Sequence, residues 1–117
     1  MKQILELTLL SRVLLPSIFP EVGSYVEHIV NSSIKKKVEL TVEEIEKYKV
    51  QEVPGGLVWD KTFDTVLFDI EVSEREVEHL KDRLQKADDE KRLHYGLINL
   101  FVTLCAPAIP EDLKPQQ

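Results

Sequence analysis

Three histidines, one cysteine and a short acidic run are the side chains of this 117-residue sequence best suited to chemistry. A zinc site needs three or four imidazole, thiolate or carboxylate ligands on one point, often spaced one helical turn apart. His28, His79 and His94 are scattered, and no two stand in a His-x-x-x-His relation. His79 and Asp82 are three residues apart, a pairing that solvated helix faces produce constantly. Cys105 lies among Val102, Thr103, Leu104 and Ala106, with no basic cluster beside it to lower its pKa, so it reads as a small hydrophobe. Asp88-Asp89-Glu90 could attract a cation but suits a solvated bend between helices. There is no Gly-x-Ser-x-Gly elbow, phosphate-binding glycine loop or dinucleotide fingerprint. The expectation is therefore a non-enzyme with no catalytic, cofactor-binding or metal-binding residues.

Charge narrows the partners. Fifteen basic against 21 acidic residues leave a net charge of −6, which opposes phosphate-rich ligands. Lys35-Lys36-Lys37 is the one basic cluster, and it falls in the last turn of an expected helix, where cations favour the dipole. Nucleic acid is not the expected ligand, and neither is a membrane. The apolar run from Ile4 to Phe19 contains Glu6 and Arg12 and no small-residue cleavage site. The run from Leu93 to Ile109 contains His94, Asn99 and Pro107 and falls short of the ~20 residues a span needs. A lone cysteine fits a reducing compartment, so the expected location is cytoplasmic.

A protein partner, and by charge complementarity a basic one, is the remaining expectation. Interface energy concentrates in aromatics, and Trp59 and Phe63 lie beside the turn Pro54-Gly55-Gly56. Pro54, Gly55, Trp59 and Phe63 are the candidate partner-binding residues. The competing reading packs both rings into a sheet core.

The elements that would carry these residues have clear local signals. Ser24-x-x-Glu27, Thr41-x-x-Glu44 and Ser73-x-x-Glu76 match the capping box, in which the hydroxyl caps a helix and the glutamate reaches back. Leu40 with Ile45, and Val72 with Val77, add the hydrophobic staple to two of them. Gln3 to Leu9 is an expected strand, and Ser11 to Phe19 an expected helix that Pro16 should kink. The second helix places Val26, Ile29, Val30 and Ile34 on one stripe. Val50–Val53 and Leu57–Trp59 flank the Pro-Gly-Gly turn as a hairpin, and Phe63 to Val72 alternates as a strand. In the helix opening at Glu74, Val77, Leu80, Leu84 and Ala87 form a narrow seam. Leu93 to Leu104 is apolar nearly all round, which suits a central helix or a homo-oligomer interface.

Together these elements specify an α+β fold: a helix-rich single domain over residues 1–106 with a small three- to four-stranded antiparallel sheet. Residues 107–117 read as a Pro-rich, extended or disordered tail. The order of strand, three helices and glycine-tipped hairpin loosely parallels a winged helix, so a DNA-binding regulator is the alternative. Its third helix, Val42 to Tyr48, carries three carboxylates where a recognition helix meets phosphates.

Leu7-Thr8-Leu9 with Arg12, Pro20-Glu21, Gly23-Ser24, Thr41-x-Glu43-Glu44-Ile45, Trp59, the Ser73 cap and Lys91 to Leu93 resemble a group of small bacteriophage and prophage proteins. The likeness spans most of the chain, and Val22 departs from it. It implies a phage-type accessory protein in the bacterial cytoplasm; the expected role for such a protein, added to that likeness, is as inhibitor or modulator of a host protein. It brings no catalytic residues.

Overall fold

All three capping boxes close. In each, the hydroxyl accepts the backbone N–H of the glutamate three residues on, and that carboxylate accepts the cap's own N–H. The boxes start the helices of a computed structural model that describes residues 2–113. The order is β1 (Lys2–Leu7), α1 (Leu9–Leu14), a 3-10 turn (Leu15–Ile18), α2 (Tyr25–Val38), α3 (Val42–Lys47), β2 (Gln51–Val53) and β3 (Gly56–Val58). A second 3-10 turn (Lys61–Phe63) leads to β4 (Phe68–Ser73) and α4 (Glu74–Asp89). A third (Tyr95–Leu97) precedes α5 (Ile98–Cys105), and Glu111–Leu113 form a last turn. This is the helix-rich antiparallel α+β class expected. Lys114–Gln117, the end of the expected tail, lie outside the described residues.

The four strands do not share one sheet. β1 pairs antiparallel with β4, setting Leu5 opposite Ile70 and Leu7 opposite Phe68. β2 pairs only with β3, as a separate ribbon. The main core lies between the first ladder and the helices: Leu5, Leu7 and Val72 meet Ile34, Leu80, Leu84 and Phe101.

Several boundaries differ from expectation for local reasons. β1 stops at Leu7 because Thr8 Oγ1 accepts the Ser11 N–H and caps α1. α1 ends before Pro16, which sits at the start of the 3-10 turn, where its missing N–H costs nothing. The strand foreseen from Phe63 begins only at Phe68: Asp60 Oδ1 accepts the Thr62 N–H and winds Lys61–Phe63 into a turn. α2 is rotated from its foreseen stripe. Val30, Asn31, Ile34 and Val38 face the core, while Val26 and Ile29 lie half outside.

The apolar stretch from Leu93 is likewise divided, with His94 capping Tyr95–Leu97 before α5 begins. Gly96 makes this junction possible. Its carbonyl accepts the Ser11 hydroxyl at 2.7 Å, and a Cβ there would stand 2.6 Å from Leu14 Cδ1 and 2.8 Å from Leu10 Cγ. Gly96→Ala is expected to destabilise the fold by about 1–3 kcal/mol, the usual range for overpacking, as a shift of the urea midpoint.

Candidate interaction site

The β2–β3 ribbon owes its position to the ends of the elements around it. α3 closes in a Schellman motif: the Val50 N–H reaches Ile45 O at 3.0 Å and the Lys49 N–H reaches Glu46 O at 3.3 Å. Lys49 takes the left-handed conformation this requires, φ 54°, and the chain reverses into β2. At the tip Pro54 leads into Gly55 at φ 98°, the positive φ that the third position of a type II turn needs. The register sets Val53 opposite Gly56 and Gln51 opposite Val58. Every residue of both strands is exposed.

A small aromatic cluster anchors the base of this ribbon. Leu9, Tyr48 and Val50 are buried there, with Trp59, Phe63, Val66 and Phe68 packed against them. Tyr48 meets Phe63 and Phe68 edge-on at centroid distances of 5.2 and 5.4 Å. The Trp59 indole N–H donates to Asp64 Oδ1 at 2.9 Å. Of the four residues singled out in the sequence, Trp59 and Phe63 are thus brought together, half-buried, at the root. Pro54 and Gly55 are exposed at the opposite end.

A cleft flanks each side of the ribbon, and Leu57 lines both. The first, about 600 Å³, is walled by Val13, Pro16, Leu40 and Ile45, with Lys35 and Glu52 among its charged residues. Arg12 stands in its floor, only 4% exposed. Its Nε donates to Val38 O at 3.0 Å, and Nη2 to Glu39 O at 2.8 Å. The two terminal nitrogens also fork onto the Glu44 carboxylate at 2.6 and 3.0 Å. One guanidinium therefore joins α1 to the end of α2 and the start of α3, with the Phe68 ring 4.7 Å below it. That hydrogen bonding holds the Glu44 carboxyl below the usual carboxylate range, against the opposing effect of burial.

The second cleft, about 590 Å³, runs between the ribbon, β1 and the junction before α5. Trp59 and Tyr95 contribute rings, Leu67 an exposed apolar side chain, and Glu6 and Asp64 carboxylates. Sequence reasoning missed Leu57, Glu6 and Tyr95. No local signal marks them, because they meet only through the fold.

The reactive side chains do not converge. His79 Nε2 lies 2.5 Å from Asn31 Oδ1, and its ring centroid is 5.8 Å from that of Phe19. Burial first, and then the nearby Arg83, push its pKa down. His94 Nδ1 accepts the Gly96 N–H, and His28 is exposed on α2. Cys105 is half-buried with Sγ 3.6 Å from Lys81 O, and burial pushes its thiol up. Among the described residues no group of three His, Cys, Asp or Glu could hold a metal ion. No helix there is long and apolar enough to cross a membrane. Comparison with protein families, curated proteins and solved structures finds no match for this chain.

Proposed function

We propose that the protein is a non-enzymatic accessory protein that works by gripping another polypeptide across the β2–β3 ribbon. The observation that carries this reading is the exposed ribbon with an apolar cleft on either side and Leu57 shared between them. A two-stranded ribbon offers unpaired backbone groups along both edges, so an extended segment could add as a strand. The clefts would then take its alternate side chains. In the second cleft Glu6 and Asp64 outnumber Lys61, and beside the Trp59 and Tyr95 rings they favour a cationic side chain, which carboxylates attract by charge and ring faces by their quadrupole. The net charge of −6 steers the whole molecule towards a basic partner. Within the phage-type resemblance, that partner is a host protein in the bacterial cytoplasm, which the protein inhibits or modulates.

The DNA-reading alternative is less well supported. The hairpin that would form the wing, β2–β3, pairs with no other strand, and β1 pairs with β4. Glu43 and Glu46 are exposed on α3, and Glu44 is committed to Arg12. Fluorescence anisotropy with labelled mixed-sequence duplex DNA separates the two readings. No saturable binding is expected at micromolar protein and low salt. Tight association that weakens steeply with added salt would overturn the polypeptide reading.

A further inference from the structure

Tyr25, Val26 and Ile29 lie on the first two turns of α2, with Val22 in the bend just before its cap, and all four are exposed. Val22 and Tyr25 are each 80% exposed, and Val26 and Ile29 each 50%. Large apolar side chains clustered on an exposed face, rimmed by polar residues, mark an interaction surface. The outermost line of α2 continues through Ser32 to Lys36, along a shallow groove that also takes in His28. This face is large and apolar in its first half, small at Ser32 and cationic at Lys36. From that asymmetry we infer that α2 binds the α2 of a second copy of this chain, antiparallel, about a two-fold axis between Ile29 and Ser32.

The axis makes the surface complementary to itself, as an isologous interface must be. It sets Ile29 of one copy over Ser32 of the other, where a small side chain lets helices approach to the usual 8–10 Å. It also sets the Tyr25 ring against the Lys36 ammonium of the second copy, a cation–π pair at each end. Helix dipoles run opposed, so the carboxylate-bearing first turn of each α2 approaches the lysine-rich last turn of its mate. α5 is the weaker candidate for self-association. Leu97, Leu100, Phe101 and Leu104 are spent on the chain's own core, which leaves Ile98 and Val102 outside. Lys36 lines both this groove and the first cleft beside the ribbon, so the pairing and the ribbon's partner site adjoin at that residue.

Sedimentation equilibrium of the full chain from about 1 to 200 μM tests the pairing, a range that spans the weak end of dimer affinities. The expected mass rises to twice the 13.5 kDa of one chain. Ile29→Glu should hold it at the single-chain value with an unchanged thermal melt. Tyr25→Lys, at a more exposed position, should weaken pairing at least tenfold and serves if the first variant misfolds. Mixing an Ile29→Cys copy with a Ser32→Cys copy, both carrying Cys105→Ala, should give the mixed disulfide in preference to either like pair. A single-chain mass throughout would overturn the inference. So would a dimer that survives Ile29→Glu and Tyr25→Lys but is lost on Val102→Glu.

Discussion

Arg12→Ala is expected to remove about 3–5 kcal/mol of stability, the range for breaking one side of a buried ion pair. Total stability for a domain of this kind is about 5–15 kcal/mol, so much of it depends on one side chain. The guanidinium serves three acceptors: the Val38 and Glu39 carbonyls and the Glu44 carboxylate, whose other donor is the Thr41 N–H of the capping box. Alanine would leave a cavity over the Phe68 ring and orphan acceptors at the end of α2. Arg12→Lys should recover little, because one ammonium cannot span carbonyls and carboxylate in the fork geometry. Urea unfolding at pH 7 reads the change. A double-mutant cycle with Glu44→Gln should show a coupling of at least 1 kcal/mol between the two side chains. A loss below 1 kcal/mol for Arg12→Ala would mean that α1, α2 and α3 are held mainly by their apolar contacts.

Acid should act on the molecule chiefly through Glu76. This carboxylate is 4% exposed, between α2 and α4. Burial opposes its ionisation, but Lys37 Nζ at 2.5 Å, the Ser73 N–H at 2.8 Å and the Ser33 hydroxyl at 2.8 Å all donate to it. Together they lower its pKa from 4.5 to about 2. A folded-state pKa below the unfolded one gives stability that is complete above pH 4.5 and lost as the pH falls towards 2. At 1.36 kcal/mol per pKa unit this amounts to about 3 kcal/mol. Glu76→Gln should therefore be less stable than the parent by about that amount at pH 7, with the gap closing below pH 4.5. Urea midpoints at pH 7, 5, 4 and 3 follow it, and a gap that stays constant with pH would contradict the assignment. His79 works in the same direction at higher pH. Its lowered pKa means that stability begins to fall as the pH drops below 6.5, its ordinary value.

What the sequence made legible was local. Ser24, Thr41 and Ser73 each stand three residues before the glutamate they exchange hydrogen bonds with, so the helix starts could be read directly. Pro54-Gly55 carried its own turn. Arg12 and Glu44 are 32 residues apart and Lys37 and Glu76 are 39 apart, so neither pairing had a periodic or spacing signal. α2 shows the same limit from the other side. Its apolar positions were visible, but the side that faces inward was decided by Asn31, which meets His79 on α4, and by Ile34 and Val38. Trp59 and Phe63 were recognisable as aromatics near a turn. Their half-buried role at the root of the ribbon depended on Tyr48 and Phe68 arriving from two other elements. The cleft beside them needed Glu6 and Tyr95, from opposite ends of the chain.

Affinity capture from bacterial lysate, with quantitative mass spectrometry of parent and Leu57→Glu baits side by side, bears most directly on the proposed role. Leu57 is exposed, so the substitution should leave the melt unchanged while placing a carboxylate in both clefts. At least one basic polypeptide should be held by the parent and reduced tenfold or more on Leu57→Glu. The same proteins recovered equally by both baits would show that the ribbon is not where this molecule makes its contacts.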